Sequence, residues 1–297
     1  MMRPDWAQIA THISETVGQV FKVEMMARLG GGSINQAWHV RGQNGRYFVK
    51  INSAKHLDMF VAEIDGLQLL AVTDTVAVPK PLCCGVTAQH AYLVLEYLDL
   101  IRCSDAAAEA LGEDLAAMHH CTAARFGWHR HNTIGTTPQI NTETADWPAF
   151  WSRQRLGFQL ELAARNGHQG RLQQRGERLL SVVDLLLTGH RPQPSLLHGD
   201  LWSGNYATTA TGRPVVFDPA PYYGDRETDL AMTELFGGFS AGFYRAYHSA
   251  WPLADGYEQR RNVYNLYHIL NHLNLFGATY RAQAEAMIDM ALADLGY

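Results

Sequence analysis

Apolar positions change their rhythm about a third of the way along the chain, from alternation to a spacing of three and four, and the change predicts two parts. Residues 5–17 carry Trp6, Ile9, Ile13 and Val17 at helical spacing, which predicts a short amphipathic helix. Residues 20–26 read as strand, and two strand-like runs then flank Gly30-Gly31-Gly32. Asn44-Gly45 is a hairpin turn signal, followed by a returning strand over 46–52. Leu57, Phe60, Val61, Ile64, Leu67 and Leu70 predict a helix over 54–72. An extended link at 76–81 leads to strands over 83–86 and 91–98. The alternation ends at Glu96-Tyr97-Leu98-Asp99, so the expected division is a β-rich part, 1–97, and a helical part, 98–297.

In the second part, Ser104-Asp105 forms an N-cap for a helix ending near His119, with Leu111, Leu115 and Met118 inward. Residues 126–144 read as loop, and helices follow over 147–166 and 171–187, the latter closed by Gly189 and Pro192. Two short apolar runs, at 195–197 and 214–217, each end in a polar cluster. A short polar loop then enters a helix near Thr228, and further helices cover 239–247, 259–275 and 281–295. There is no internal repeat and no low-complexity segment.

The polar clusters carry the chemistry. The first reads His198-Gly199-Asp200-Leu201-Trp202-Ser203-Gly204-Asn205, and the second is Asp218-Pro219. Two carboxylates and an amide oxygen at strand ends suit a hard cation and its phosphate ligand. A polar loop joining two core strands would not need all three at these offsets. The segment matches His-x-Asp-Leu-x-x-x-Asn, the kinase catalytic-loop pattern with Gly for Arg. In that pattern the Asp accepts the proton of the attacking hydroxyl, while the Asn and a later Asp hold Mg²⁺.

Upstream, the glycine triplet permits a tight hairpin whose amides approach a phosphate, with Ser33 and Asn35 as further donors. Alone it is a plain hairpin, matching neither nucleotide-binding glycine pattern. Lys50 alternates with Val49 and Ile51 and so faces away from them. An interior lysine needs a partner. A phosphate is one; Glu63, thirteen residues on, is a better helical candidate than Asp65, although on pattern alone it reads equally as an exposed glutamate. The backbone from Glu96 to Leu98 is placed to meet an adenine ring.

Composition narrows the field. The 297 residues carry 47% hydrophobic and 18% charged positions and a net charge of −5, ordinary for a soluble globular protein and contrary to a nucleic-acid binder. No apolar stretch spans a bilayer, and the start lacks the apolar core of a signal peptide, so no membrane partner is expected. Cys83, Cys84, Cys103 and Cys121 lack metal-site spacing and read as reduced thiols of a cytoplasmic protein. A monomer and a homodimer fit the sequence equally.

The order of glycine hairpin, strand lysine, helix glutamate, hinge, catalytic-loop pattern and strand-end Asp resembles the protein-kinase-like fold, in the branch of the aminoglycoside and choline phosphotransferases. More closely, the chain resembles the fructosamine kinase (ketosamine kinase) family. The resemblance is carried by Gly30-Gly31-Gly32-Ser33-Ile34-Asn35, Phe126-Gly127, Asn132-Thr133-Ile134-Gly135, the segment 197–205, and Asp218-Pro219-Ala220. It continues through Tyr222-Tyr223-Gly224-Asp225-Arg226-Glu227, Asp229-Leu230-Ala231-Met232 and Tyr264-Asn265-Leu266-Tyr267-His268.

The resemblance implies an α+β, two-lobed fold: a β-rich N-lobe with one helix and a mainly helical C-lobe. It implies ATP- and Mg²⁺-dependent phosphorylation of the sugar 3-hydroxyl of a ketoamine, small or protein-bound, which leads to release of the amine. Matched by position, Asp200 is the base, Asn205 and Asp218 are the metal ligands, and Lys50 with Glu63 holds phosphate. Gly30, Gly31, Gly32, Ser33, Asn35, Glu96 and Leu98 fall on the nucleotide side, and His198, Trp202 and Asp225 on the substrate side. Trp202 reads equally as a stacking platform and as packing within its loop, and Asp225, Glu227 and Asp229 offer an acidic pocket for a cationic substrate. Asp-Pro-Ala stands in place of Asp-Phe-Gly and no long activation segment follows, which disfavours a protein kinase. His131 stands where the family resemblance leads one to expect Asp. Two alternatives remain: another small-molecule kinase of the aminoglycoside or choline type, and a non-catalytic nucleotide-binding regulator. Against the regulator stand Lys50, Asp200, Asn205 and Asp218 together.

Overall fold

A computed structural model describes residues 4–30, 32 and 34–297, so Gly31 and Ser33 of the glycine hairpin lie outside the described residues. In chain order these residues form α1 (Trp6–Val17), β1 (Met25–Leu29), β2 (Gln36–Gly42), β3 (Gly45–Ser53), α2 (Leu57–Ala71), β4 (Pro81–Val86), β5 (His90–Glu96) and β6 (Leu100–Ile101). Next come α3 (Asp105–His119), β7 (Asn132–Ile134), β8 (Thr137–Gln139), α4 (Trp147–Phe150), α5 (Phe158–Arg165), α6 (Arg171–Leu180) and α7 (Asp184–Leu187). Then follow β9 (Ser195–Leu197), β10 (Tyr206–Thr209), β11 (Pro214–Val216), β12 (Tyr222–Gly224), α8 (Glu227–Leu235), α9 (Ala241–Ala250), α10 (Tyr257–Phe276) and α11 (Arg281–Asp294). None of these helices is long and apolar enough to cross a membrane.

The chain divides into two units, Met1–Ser104 with Ala207–Asp218, and Asp105–Tyr206 with Pro219–Tyr297. The first thus runs beyond the 97/98 division and takes in a later piece of chain. Its main sheet is antiparallel, in the order β1-β2-β3-β5-β4. Strand alternation sorts two cores. Val40, Val49, Ile51 and Val94 pack with Ile9 and Ile13 of α1 on one face. Leu93 and Leu95 pack with Phe60 and Leu67 of α2 on the other. Both helices expected from periodicity are present among the described residues, one more than the single helix of the lobe that the resemblance implies. A second sheet, β11-β10-β6, brings residues 207–216 into this unit, and Val216 N donates to Ala77 O at 2.9 Å. The strand expected over 20–26 begins only at Met25. Ahead of it Phe21 is buried, and its amide is tied to Ser14 Oγ of α1 at 2.9 Å rather than to the sheet.

The second unit is helical, with α10 running through its core: Val263, Tyr264, Leu266, Tyr267, Ile269, Leu270 and Leu273 are all buried. The expected helix over 147–166 is continuous, but residues Trp151–Gly157 are wound as a π-helix between α4 and α5. The expected helix over 171–187 breaks after Leu180, where the amides of Val182 and Val183 both turn back to Leu179 O, and resumes as α7. The region 126–144, expected as loop, holds the β7–β8 hairpin. Its Phe126-Gly127 motif is tied down as well: Gly127 bridges to Tyr223, with φ +110°. Two small sheet pieces, β7–β8 and β12–β9, carry the polar segments of the site.

Helix α3 lies so close to α9 that a Cβ on Gly112 would stand 3.0 Å from Tyr247 N and 3.1 Å from Ala246 Cβ, and closer still to the Phe243 carbonyl oxygen. Backbone atoms cannot yield there. Gly112→Ala is therefore expected to destabilise the protein by about 1–3 kcal/mol despite its better helix propensity. Urea denaturation checks this, and an unchanged or raised midpoint would refute the close contact.

Candidate active site

In the first unit, β3 turns Lys50 away from the α1 face and buries it at 4% exposure. A buried ammonium is costly unless paired. Its Nζ hydrogen-bonds Glu63 Oε1, carried by α2, and Asp218 Oδ1 at 2.5 Å. Burial pulls the Lys50 pKa down, but the Asp218 and Glu63 charges outweigh it and hold the group above its ordinary value, fully charged. Asp218 leaves β11 with φ +58°, a left-handed conformation that Asp tolerates better than most residues. Its side chain is about half exposed, and only one carboxylate oxygen lies on Lys50.

The glycine hairpin joins β1 to β2 with Leu29 opposite Ala37, and Ala37 is in turn opposite Lys50 on β3. Gly30 and Gly32 are exposed; a Cβ on Gly32 would stand 2.6 Å from the Asn35 carbonyl oxygen, so there is no room for a side chain at Gly32, whereas the space around Gly30 is open. Asn35 Oδ1 accepts from Asn52 Nδ2 at 2.7 Å, which commits that oxygen to bracing the loop. A cavity lined by Leu29, Gly30, Gly32, Asn35 and Ala37 opens here. At the end of β5 the Glu96 carboxylate accepts from Lys80 N at 2.6 Å, so its side chain stiffens the hinge strand; Leu98 follows, half-buried.

In the second unit the catalytic-loop segment leaves β9 through Gly199 at φ +81°, where a Cβ would collide with the carbonyl of Ala220. Ala220 N donates to His198 O at 2.9 Å. The buried Asp229 carboxylate anchors the turn, accepting from His198 N at 2.7 Å and Gly199 N at 2.8 Å. Arg226 Nη1 donates to Tyr247 OH, Tyr247 OH meets His119 Nδ1, and His119 Nε2 reaches Asp229 Oδ2 at 3.2 Å. Every group in that chain is satisfied if His119 is neutral and protonated at Nε2. Burial would raise the Asp229 carboxyl, but the hydrogen bond from His119, the nearby His198 and the Gly199 amide more than offset it, and its pKa lies below the ordinary value.

Asp200 is half-buried, and Asn205 Nδ2 donates to its carbonyl oxygen at 2.8 Å and its Oδ2 at 3.2 Å. Both donors of the Asn205 amide thus turn toward Asp200, and Oδ1 is the atom left to meet a cation. This amide oxygen in the second unit and the second Asp218 oxygen in the first are each a ligand of the kind a hard divalent ion takes. His198 is 1% exposed, and its Nδ1 accepts from Asp200 N at 3.3 Å; its side chain organises the loop from inside and offers nothing to a substrate. Trp202 is 37% exposed: one face folds over Gly204, with Phe236 edge-on at 6.1 Å. Packing and an open aromatic face coexist in this one ring.

The acidic run expected as a pocket for a cationic substrate is interior. Asp225 is 1% exposed, and its carboxylate is taken by Tyr264 OH at 2.6 Å, His190 Nε2 at 2.6 Å and Glu227 N at 3.1 Å. Glu227 pairs with Arg260 at 2.6 and 2.8 Å. His131, the departure from the family pattern, accepts the Asn141 amide at its Nδ1 at 3.0 Å, a role an Asp side chain also fills. Sequence reasoning missed His119, Tyr247 and Gln139, because a lone polar residue in an apolar helix or a polar loop has no distinctive spacing.

Two histidines of this unit are held neutral. His268 is buried beside His272, and its pKa is pushed down to about 3; His119 also lies below its ordinary value, chiefly through burial. An unfolded histidine takes its proton near pH 6.5, so below that the unfolded chain binds more protons than the folded one. Stability is therefore complete above about pH 6.5 and falls on acidification, by up to about 1.4 kcal/mol per pH unit for each such histidine. Melting temperatures between pH 7 and 5 should show this loss, and a His268→Leu variant should show a shallower slope. Identical slopes would contradict the assignment.

The chain matches the sequence profile of the fructosamine kinase family over residues 5–294. It is 48% identical over 288 residues to a "Probable ketoamine kinase" of Synechocystis sp., with 97% of each chain covered. It is 41% identical over 277 residues to a chloroplastic protein-ribulosamine 3-kinase of Arabidopsis thaliana, covering 92% of this chain and 84% of that one. A Haemophilus somnus 129PT crystal structure that carries a fructosamine-3-kinase name superposes with a TM-score of 0.90 at 30% identity, with 97% of each chain covered. An aminoglycoside phosphotransferase solved with ADP and hygromycin B shares the fold, with a TM-score of 0.66 at 15% identity, covering 96% of this chain and 98% of that one. The buried lysine with its two carboxylates and the anchored Asp200–Asn205 loop agree with that placement, and the chain belongs to the fructosamine kinase family.

Proposed function

We propose that this protein transfers the γ-phosphoryl group of ATP to the sugar 3-hydroxyl of a ketoamine, the adduct of a sugar with an amine, as the first step of amine release. The observation that carries the reading is the fully charged Lys50 held between Glu63 and Asp218, a buried cation suited to an anionic phosphate chain. The exposed glycines Gly30 and Gly32 line a cavity in the same unit, where a phosphate could approach the backbone. Asp200 accepts the proton of the attacking hydroxyl, and Asn205 Nδ2 holds both its backbone carbonyl and one oxygen of that carboxylate. By the family pattern Asn205 and Asp218 would hold Mg²⁺, which would neutralise charge on the phosphates. Positioning supplies most of the rate, because a loose phosphoryl-transfer transition state asks little covalent chemistry of the protein.

The open face of Trp202 is the substrate-side surface, and a protonated ketoamine nitrogen is attracted to such a face. Asp225 takes no part in binding substrate, since its oxygens are already bonded inside the fold. The names of the Synechocystis and Arabidopsis relatives, a ketoamine kinase and a protein-ribulosamine kinase, support an acceptor of this class. The four free thiols suit a reducing, cytoplasmic setting.

ATP consumption by the purified protein with Mg²⁺ tests the proposal, comparing ribulosamine and fructosamine adducts with the parent amine and an aminoglycoside. Turnover is expected with the adducts only. Asp200→Ala should lower kcat by about 10²- to 10⁴-fold with nucleotide affinity nearly unchanged, and Asp218→Ala should lose Mg²⁺-dependent nucleotide binding as well as turnover. Phosphorylation of the aminoglycoside but not the adducts would move the acceptor class, and full activity in Asp200→Ala would remove Asp200 as the base.

A further inference from the structure

The β7–β8 hairpin with the residues just after it and the π-helical turn place Asn132, Gln139, Asn141 and Arg155 in the interior of the second unit. Gln139 is 1% exposed and fully bonded: its Nε2 donates to Ala220 O at 2.9 Å and Asn132 Oδ1 at 2.9 Å, while its Oε1 accepts from Tyr267 OH at 2.8 Å. Asn132 Nδ2 donates to the next carbonyl, Pro221 O, at 2.9 Å. Asn141 Nδ2 donates to Asn132 Oδ1 at 2.8 Å, and Arg155 Nη2 donates to Asn141 Oδ1 at 2.8 Å. At the root, the Arg155 guanidinium is buried without a carboxylate salt bridge among the described residues. Its Nη1 lies on Ile140 O, and it stacks over Tyr222 at 4.1 Å and Phe150 at 4.6 Å. Donors thus point one way, from Arg155 through Asn141 and Asn132 to Pro221 O, and from Tyr267 through Gln139 to Ala220 O.

The target of these donors is the peptide that touches the catalytic loop. Ala220 offers its N–H to His198 O, and its carbonyl is the group against which Gly199 is closed. That one residue is therefore clamped on both sides, by the His198-Gly199-Asp200 turn and by Gln139. From this convergence we infer that Gln139 is a positioning residue for phosphoryl transfer, setting the height of the Asp200 loop through the Ala220 peptide, with Asn132, Asn141 and Arg155 fixing the direction of its amide. Mere stabilisation is a poor account of the arrangement. Buried polar and charged groups give little net stability over apolar ones of the same shape, and this set converges on two adjacent carbonyls rather than spreading through the core. The chain of aligned hydrogen bonds that starts at the Arg155 cation also polarises the Asn132 donor toward Pro221 O, the carbonyl next to Ala220.

Gln139→Met keeps the bulk and removes every bond, and Val183→Ala, a fully buried truncation in the same unit, serves as a control of matched thermal stability. Hydrogen exchange of the 196–205 peptide and steady-state kinetics are measured on both, well below their melting temperatures. In Gln139→Met the loop amides should exchange about tenfold faster, the equivalent of one lost buried hydrogen bond. Its kcat should fall about 10- to 100-fold with KM for ATP and adduct nearly unchanged. Val183→Ala should change neither. Loop exchange equal to wild type, or equally raised in the control, overturns the inference. The kinetic arm rests on the proposed activity and the exchange arm does not, so a wild-type protein inert toward adducts would count against that activity while the exchange result still decides the role of Gln139.

Discussion

A buried ammonium has to be met by negative charge or it does not stay in the fold, and Lys50 draws the first unit together on that account. Its β3 strand is central and its neighbours Val49 and Ile51 belong to the α1 core, so alternation leaves the side chain no route to solvent on that face. Glu63 reaches it from α2, and Asp218 from the far end of a segment that joins the unit more than a hundred residues later. One cation with two carboxylates leaves an excess negative charge at a half-exposed Asp218, which fits a further cation better than it fits isolation. Burial alone would drive Lys50 neutral; the paired carboxylates reverse the sign of that effect.

The second unit solves the mirror problem with a buried anion. Among the described residues Asp229 is met by two backbone amides and the neutral His119 ring. Amides are donors that cannot rotate away, so the carboxylate fixes the course of the backbone as well as its charge. The turn at Gly199 then follows, because amides converging on one carboxylate hold the chain against Ala220, where only glycine fits. Stability on acidification depends on the same region, since His119 and His268 are buried as neutral rings and their protonation favours the unfolded chain.

What could be read from the sequence follows from which forces leave a local pattern. Period-two alternation told the face of Lys50, period 3.6 left Glu63 beside the apolar stripe as a candidate partner or an exposed glutamate alike, and apolar runs marked the strands that deliver Asp200 and Asp218. The attachment of residues 207–218 to the first unit left no such trace. It depends on a two-residue strand, Leu100–Ile101, whose side chains are exposed and whose partner lies a hundred positions away. The β7–β8 hairpin was hidden for the opposite reason: three of its four buried positions are Asn132, Thr137 and Gln139, with Ile134 the fourth, so burial there runs mostly against the hydrophobic code. Asp225 misled by its charge. An acid beside two others reads as surface, yet Tyr264 and His190 reach it from elements 39 and 35 residues away.

The same accounting explains why a switchable activation segment has no place in this chain. Only nine positions separate Asp218 from Glu227, the start of α8. Ala220 is held by His198 and Gln139, Pro221 by Asn132, and residues 222–224 pair with β9. Asp225 and Arg226 are bonded inside the fold. A segment that responds to phosphorylation needs backbone whose order is undecided until charge arrives. Here the order is already provided by buried hydrogen bonds, each of which would have to break for the segment to move. Loop geometry in the second unit is thus built in by folding.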